Sequence, residues 1–349
     1  MGDVIKDMFP GERAQHLLKV LVQRYIREGQ PVGSRTLSKD SGLDLSAATI
    51  RNVMADLEEM GFVSSPHTSA GRVPTPRGFR FFVDTLLRVK PLSSSEMQVL
   101  ANKIAVGSHD QQSLVASTSA MLSSLTSLAG VVTTPRQPHA SLRQIEFLSL
   151  SEKRVLAIMV INDREVQNRI LQLDRDYSSE ELVRAANYLN EKFAGREIVE
   201  VRDILVAELK STRETMNRLM IDAINMAQRA FSAEDENNFV VAGETNLMGF
   251  AELHDVDKLR RLFEAFNTKR DILGMLDKVV NAQGVQIFIG EESGYSVMDD
   301  CSLVVAPYTA NDDVVGVLGV IGPTRMAYER VIPIVDVAAK LLGSALNSK

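Results

Sequence analysis

Arg51 and Asn52 carry the most specific chemistry in this chain. They lie in SAATIRNVMADLEEMG, residues 46–61, where Ile50, Val53, Met54, Leu57 and Met60 recur at helical spacing. Ala47, Ala48, Thr49, Arg51, Asn52 and Ala55 fall on the opposite face. A guanidinium fork matches O6 and N7 of guanine, and a carboxamide matches N6 and N7 of adenine. The small neighbours would let such a helix enter a major groove, and the acids Asp56, Glu58 and Glu59 gather at its far end. Ser46 is placed to cap the helix, whose free first-turn N–H groups can take a phosphate. The other reading of the same residues is the solvated face of an ordinary short helix.

The elements that must position this helix are legible on both sides of it. ERAQHLLKVLVQRYIRE, residues 12–28, predicts an amphipathic helix that Gly29 ends. PVGSRTLSKDSGL predicts a short second helix with Ser34 as its N-cap, Arg35 beside it, and a close near Gly42. After Gly61 a strand, FVSS, enters the loop PHTSAGR and returns through Val73. Another helix starts around Pro76 and runs through FRFFVDTLL. Three short helices followed by a small hairpin is the order of a winged helix-turn-helix. His67, Thr68, Ser69 and Arg72 would tip the wing with hydroxyls and cations suited to phosphates or a minor groove. Arg77 and Arg80, three residues apart, would extend the same stripe.

Charge is distributed to match. The whole chain of 349 residues has a net charge of −6, but residues 1–90 hold 13 basic and 10 acidic residues. The remainder holds 26 and 35. A basic head on an acidic body attracts a polyanion locally, although ordinary variation between domains gives similar numbers. The length predicts two or three domains, and the 45% hydrophobic content supplies their cores. A single cysteine, Cys301, fits a reducing cytoplasm. The N-terminal residues lack an apolar core of signal-peptide length, and runs such as Val155 to Ile161 are too short to span a bilayer, so a cytoplasmic protein without membrane contact is expected.

Beyond Lys90-Pro-Leu-Ser-Ser-Ser, a linker, residues 95–130 predict a Ser-rich helical stretch broken by TTPRQP. QIEFLSL, RVLAIMVI and VQNRILQL predict three strands within 143–173, and 178–233 is mostly helical. NNFVVAGE is a candidate strand. From about 255 the order is two helices, three strands (VQIFIG, CSLVVAPY, VVGVLGVIGP) and a last helix, with a hairpin signal at Thr-Ala-Asn-Asp-Asp. No catalytic residues, cofactor or metal are expected. There is no P-loop, GxGxxG, HExxH or paired cysteine, and the five histidines are scattered. Gly316, Gly319 and Gly322 read as close backbone packing, and Met216, Met220 and Met226 as core or interface.

SAATIRNVMADLEEMGFVSSPHTSAGRVPTPRGFRFFVD, with YIREGQPVGSRTLSK before it, resembles the HrcA family of heat-inducible transcription repressors, as does SLVVAPYTANDDVVGVLGVIGPTRMAYERVIPIVD near the end. The resemblance implies an α+β multidomain protein: an N-terminal winged helix over 1–90, a discontinuous GAF-like α/β domain over 95–175 and 250–349, and a dimerising domain inserted at 176–249. It implies repression of chaperone operons by a homodimer on double-stranded DNA, at the CIRCE inverted repeat, with chaperonin GroEL keeping the repressor active. The DNA-binding set is then Ser34, Arg35, Ser46, Ala48, Thr49, Arg51, Asn52, His67, Thr68, Ser69, Arg72, Arg77 and Arg80. One module buries about 600–1,000 Å² on DNA, too little for strong selectivity, so a C2 dimer joined beyond residue 95 is expected, with a head that folds by itself. The alternative is a winged-helix regulator controlled by a small ligand in the GAF-like domain.

Overall fold

Hydrophobic periodicity sets the first third of the chain. The computed structural model describes residues 10–67, 71–106, 110–135, 141–162, 165–197, 200–201, 204, 223–227, 239–253, 255–280 and 282–347. Helices α1 (Glu12–Glu28), α2 (Ser34–Asp40) and α3 (Ala47–Glu59) bury Leu17, Leu18, Leu21, Val22, Leu37, Ile50, Met54 and Leu57 against one another. Gly29 ends α1 in the left-handed conformation, φ 66°. A hairpin of β1 (Val63–Ser64) and β2 (Val73–Pro74) follows, then α4 (Pro76–Phe81), which runs into a π turn over Phe82–Leu86. Thr75 caps α4 by accepting from the Gly78 N–H at 3.1 Å, and donates to the Gly61 carbonyl at 2.7 Å.

Next come α5 (Ser94–Val106), α6 (Gln111–Thr126) and β3 (Ala129–Thr133). The strands β4 (Leu142–Ser149), β5 (Arg154–Ile161) and β6 (Glu165–Gln172) precede α7 (Ser179–Phe193), which opens on a capping box between Ser178 and Glu181. The chain closes with β7 (Phe239–Ala242), α8 (Val256–Thr268), α9 (Arg270–Asp277), β8 (Gln286–Ile289), β9 (Cys301–Ala310), β10 (Asp313–Pro323) and α10 (Tyr328–Asn347). The result is an α+β protein.

Two compact units result, one of residues 1–135 with 239–349, the other of residues 136–238. In the first, a five-stranded antiparallel sheet has the order β7-β3-β10-β9-β8. Strand alternation sends Val132, Val304, Ala306, Leu318 and Val320 toward the core that also holds residues of α6 and α10. It sends Val131, Leu303, Val305, Val317 and Ile321 toward α8 and α9. Asn311 and Asp312, with φ 52° and 67°, make the two-residue turn between Ala310 and Asp313. Gly319 has its close approach: a Cβ there would meet the Val304 carbonyl at 2.2 Å. No helix among the described residues is long and apolar enough to cross a membrane.

The second unit holds a separate three-stranded sheet, β4-β5-β6. Ile145, Phe147, Val155, Ala157, Met159, Ile161 and Leu171 pack with Leu182, Leu189 and Phe193 of α7 and with Ile224 and Met226. The outer face carries Leu148, Leu156, Ile158, Val160, Val166 and Ile170, with Val166 59% and Ile170 62% exposed. These limits differ from those read in the sequence, which put 143–173 with the GAF-like part and the insert at 176–249. Among the described residues the three strands form a sheet of their own, and they fall within the unit of residues 136–238. Met216 and Met220 lie outside the described residues.

Candidate nucleic-acid interface

The α2–α3 pair is fixed from behind before it offers anything to solvent. His16 Nε2 lies 2.7 Å from the Ser41 carbonyl, and Arg24 pairs with both Asp40 and Glu28, so α1 holds the end of α2. Ser46 is the N-cap of α3: its Oγ accepts from the Thr49 N–H at 3.1 Å and lies 3.0 Å from Thr49 Oγ1. On the outward face Ala48, Thr49, Arg51 and Asn52 are exposed. Arg51 and Asn52 have no hydrogen bond or ion pair within the described residues, which leaves a guanidinium and a carboxamide side by side and available. Asp56 and Glu59 are exposed at the other end of the helix.

The remaining expected contacts divide into free and engaged groups. Arg35 is exposed near the start of α2. Ser34 is the first helical residue and not the cap; Gly33 takes the N-cap position and no side chain caps the helix. His67 is exposed at the edge of the loop, where its carbonyl accepts from Ser65 Oγ at 2.8 Å. Thr68 and Ser69 lie outside the described residues. Arg77 is exposed, its guanidinium stacked 4.8 Å from the centroid of the Phe62 ring.

Arg72 and Arg80 depart from their expected roles. Arg72 pairs with Glu58 at 2.7 Å and donates to Ser65 Oγ at 3.2 Å, while its backbone exchanges two 2.9 Å hydrogen bonds with Val32. It fastens the hairpin to the last turn of α3. The fork of Arg80 is used up on Glu292, Asp84 and the Ile287 carbonyl, and the Glu292 hydrogen bond raises its pKa further above the ordinary arginine value. The Arg80 arrangement is not visible in the spacing of the basic residues, because Glu292 is 212 positions from Arg80.

Arg72→Ala should cost about 1 kcal/mol of stability, and Arg72→Ala with Glu58→Gln little more, because a half-exposed pair is broken only once. The salt slope of DNA binding should stay within about half an ion of the parent. Chemical denaturation and salt titrations read both quantities. A slope reduced by a full ion, with stability unchanged, would return Arg72 to the phosphates.

Elsewhere the chemistry is sparse. Burial pushes the Cys301 thiol up to about 12, which removes it as a nucleophile at neutral pH. Among the described residues no group of three His, Cys, Asp or Glu could hold a metal. A cleft of about 210 Å³ between α5, α6 and α10 is walled by Leu92, Val99, Leu100, Leu125 and Ile334, with Glu96 and Arg330 at its rim. That is smaller than the roughly 300–1,000 Å³ of ordinary ligand pockets, so it gives the small-ligand alternative little support.

Comparison with known proteins adds what geometry leaves open. A family profile described as HrcA protein C terminal domain matches residues 112–332. The heat-inducible transcription repressor HrcA of Xanthomonas campestris pv. campestris is 51% identical over 335 residues, 96% of this chain and 95% of its own. The protein of the same name from Methylobacillus flagellatus is 51% identical over 338 residues, 97% of this chain and 98% of its own. A crystal structure of a hypothetical protein at 2.2 Å resolution shares the fold with a TM-score of 0.59 and 20% identity, over 97% of this chain and 99% of that one. Both curated relatives are repressors of transcription. The chain belongs to the HrcA family.

Proposed function

We propose that the protein is a sequence-specific, DNA-binding transcriptional repressor whose N-terminal module is a winged helix reading a major groove with α3. The observation that carries this is the free Arg51–Asn52 pair, held on a capped and buttressed helix. Ala48 and Thr49 give the close approach, Ser46 with the first-turn N–H groups takes a phosphate, and Ser34, Arg35, His67 and Arg77 flank the groove. Family membership supports the further reading that the target is the CIRCE inverted repeat before chaperone operons, that the five-stranded unit is GAF-like, and that chaperonin GroEL keeps the repressor active.

An inverted repeat calls for a twofold dimer. The outer face of β4-β5-β6 suits it: six apolar side chains share one sheet face with Gln144, Glu146 and Asn168, an apolar patch with polar groups of the kind that interfaces use. Ile170→Glu should therefore give a folded monomer, since Ile170 is already 62% exposed. Light scattering should read half the parent mass. Affinity for the inverted repeat should fall by about a hundredfold or more, and affinity for a single half-site should not change. A variant that stays dimeric would remove this face from the interface, and a parent that ignores the second half-site would remove the dimeric reading.

A further inference from the structure

The N-terminal module reads in sequence as a head on a linker, yet it is fastened to the five-stranded body at three places. Covalently, only the exposed stretch after Leu87 joins it to α5. Through space, Arg80 of α4 donates from Nε to Glu292 Oε1 at 2.9 Å and from Nη2 to the Ile287 carbonyl at 2.6 Å. Glu292 is itself held, its Oε2 accepting from the Ile289 N–H at 2.8 Å. Arg325 crosses in the opposite direction: it pairs with Glu252 and reaches the Ile26 carbonyl in the last turn of α1 at 3.3 Å. Gly29 makes room for it, since a Cβ there would lie 2.9 Å from the Arg325 Cζ. Between the two arginines, Phe79 lies with its ring centroid 6.3 Å from Tyr25 and 6.3 Å from Tyr328. Tyr328 is fully buried, its hydroxyl 2.8 Å from Ser302 Oγ and donating to the Thr324 carbonyl at 2.7 Å.

Attachment by a linker alone would leave the head free to turn. Arg80 of α4, ion-paired across the boundary, Arg325 in the β10–α10 connection, hydrogen-bonded across it to Ile26, and the tilted ring contacts of Phe79 between Tyr25 and Tyr328 restrict that freedom. The exposed face of α3 takes no part in these contacts, so the head is fixed without being covered.

We infer that Arg80 with Glu292, and Arg325 with Ile26 and Glu252, are positioning residues that set which half-site spacing the protein accepts. The inference rests on the dimeric DNA-binding reading above. Each added base pair moves a half-site by about 3.4 Å and turns it by roughly 35° about the DNA axis. A head on a free linker follows such a change by swinging, whereas the three attachments take away the swing between the head and the five-stranded body. None of these residues needs to touch DNA for this. Their contribution is to spacing specificity, not to the reading of bases.

The test uses the full-length protein and a set of inverted repeats whose central spacer is lengthened or shortened by one and two base pairs, with a single half-site alongside. The parent should prefer one spacing over its two-base-pair neighbours by about a hundredfold, since misfit prevents simultaneous engagement of both heads. In Arg80→Ala with Arg325→Ala the preference should fall to about tenfold or less, with half-site affinity unchanged. Arg80→Lys, which keeps the charge opposite Glu292, should restore part of the selectivity, and Glu292→Gln should weaken it. Near-ultraviolet circular dichroism confirms that each variant is folded. Variant profiles parallel to that of the parent would overturn the positioning role alone. A parent with no spacing preference would overturn it together with the reading on which it rests.

Discussion

The variant Arg51→Ala with Asn52→Ala should bind operator DNA about 2–6 kcal/mol more weakly than the parent, from about 1–3 kcal/mol for each bidentate pairing with a base. Affinity for random DNA should change far less, because phosphate contacts by other groups remain. The effect belongs to recognition and not to folding. Both side chains are exposed, neither has a partner within the described residues, and the apolar stripe of Ile50, Met54 and Leu57 is untouched. The cap at Ser46 also stays in place, so α3 keeps its start. Fluorescence anisotropy against operator and random competitor, at one fixed salt concentration, gives both affinities. Equal discrimination by parent and variant would take α3 out of the groove.

Phe79→Ala should be the most destabilising single truncation at the attachment of the head, by about 3–5 kcal/mol. The ring is 2% exposed and spans the boundary, with Tyr25 of α1 on one side and Tyr328 of α10 on the other. One core cluster runs from Leu17 and Leu57 through Phe79 and Phe82 to Tyr328 and Ile334. Removing the ring should lower the melting temperature of this unit by roughly 6–20 °C. Because the core is shared, α1–α4 and the five-stranded sheet should melt in one transition. A shift below about 2 °C, or a separate early transition of the N-terminal module, would contradict a shared core. The same cluster bears on a fragment of residues 1–90. Cut there, Phe79 loses Tyr328 and Arg80 loses Glu292, so the fragment should be less stable than the same residues are in the whole chain.

Local signals carried much of the architecture. Apolar spacing placed α1 and α3, glycine at 29 and 61 marked their ends, and Asn311-Asp312 marked the hairpin. The strands β4 to β6 were visible by alternation, and Ser46 by its position before the stripe. What escaped was set by distant contacts. β3 was absorbed into a helical reading because all five of its residues are buried, so AGVVT shows no alternation. The same strands form a sheet of their own, which alternation does not reveal, since periodicity does not say which sheet a strand joins. Of the interface residues, the free ones were legible because α3 alone decides where Arg51 and Asn52 point. Arg72 and Arg80 looked like the same basic stripe, but Glu58 and Glu292 had already claimed them, and a count of charges cannot see a partner across the fold.

The most direct test is a titration of the full-length protein, at fixed salt, onto an inverted-repeat operator, a single half-site and a scrambled duplex of equal length, with the stoichiometry read from the mass of the complex. The account predicts two chains on the inverted repeat, an affinity higher than for the half-site by about a hundredfold or more, and a gap of about a thousandfold or more to the scrambled duplex. One chain per operator, or equal affinity for the operator and the scrambled duplex, would contradict it.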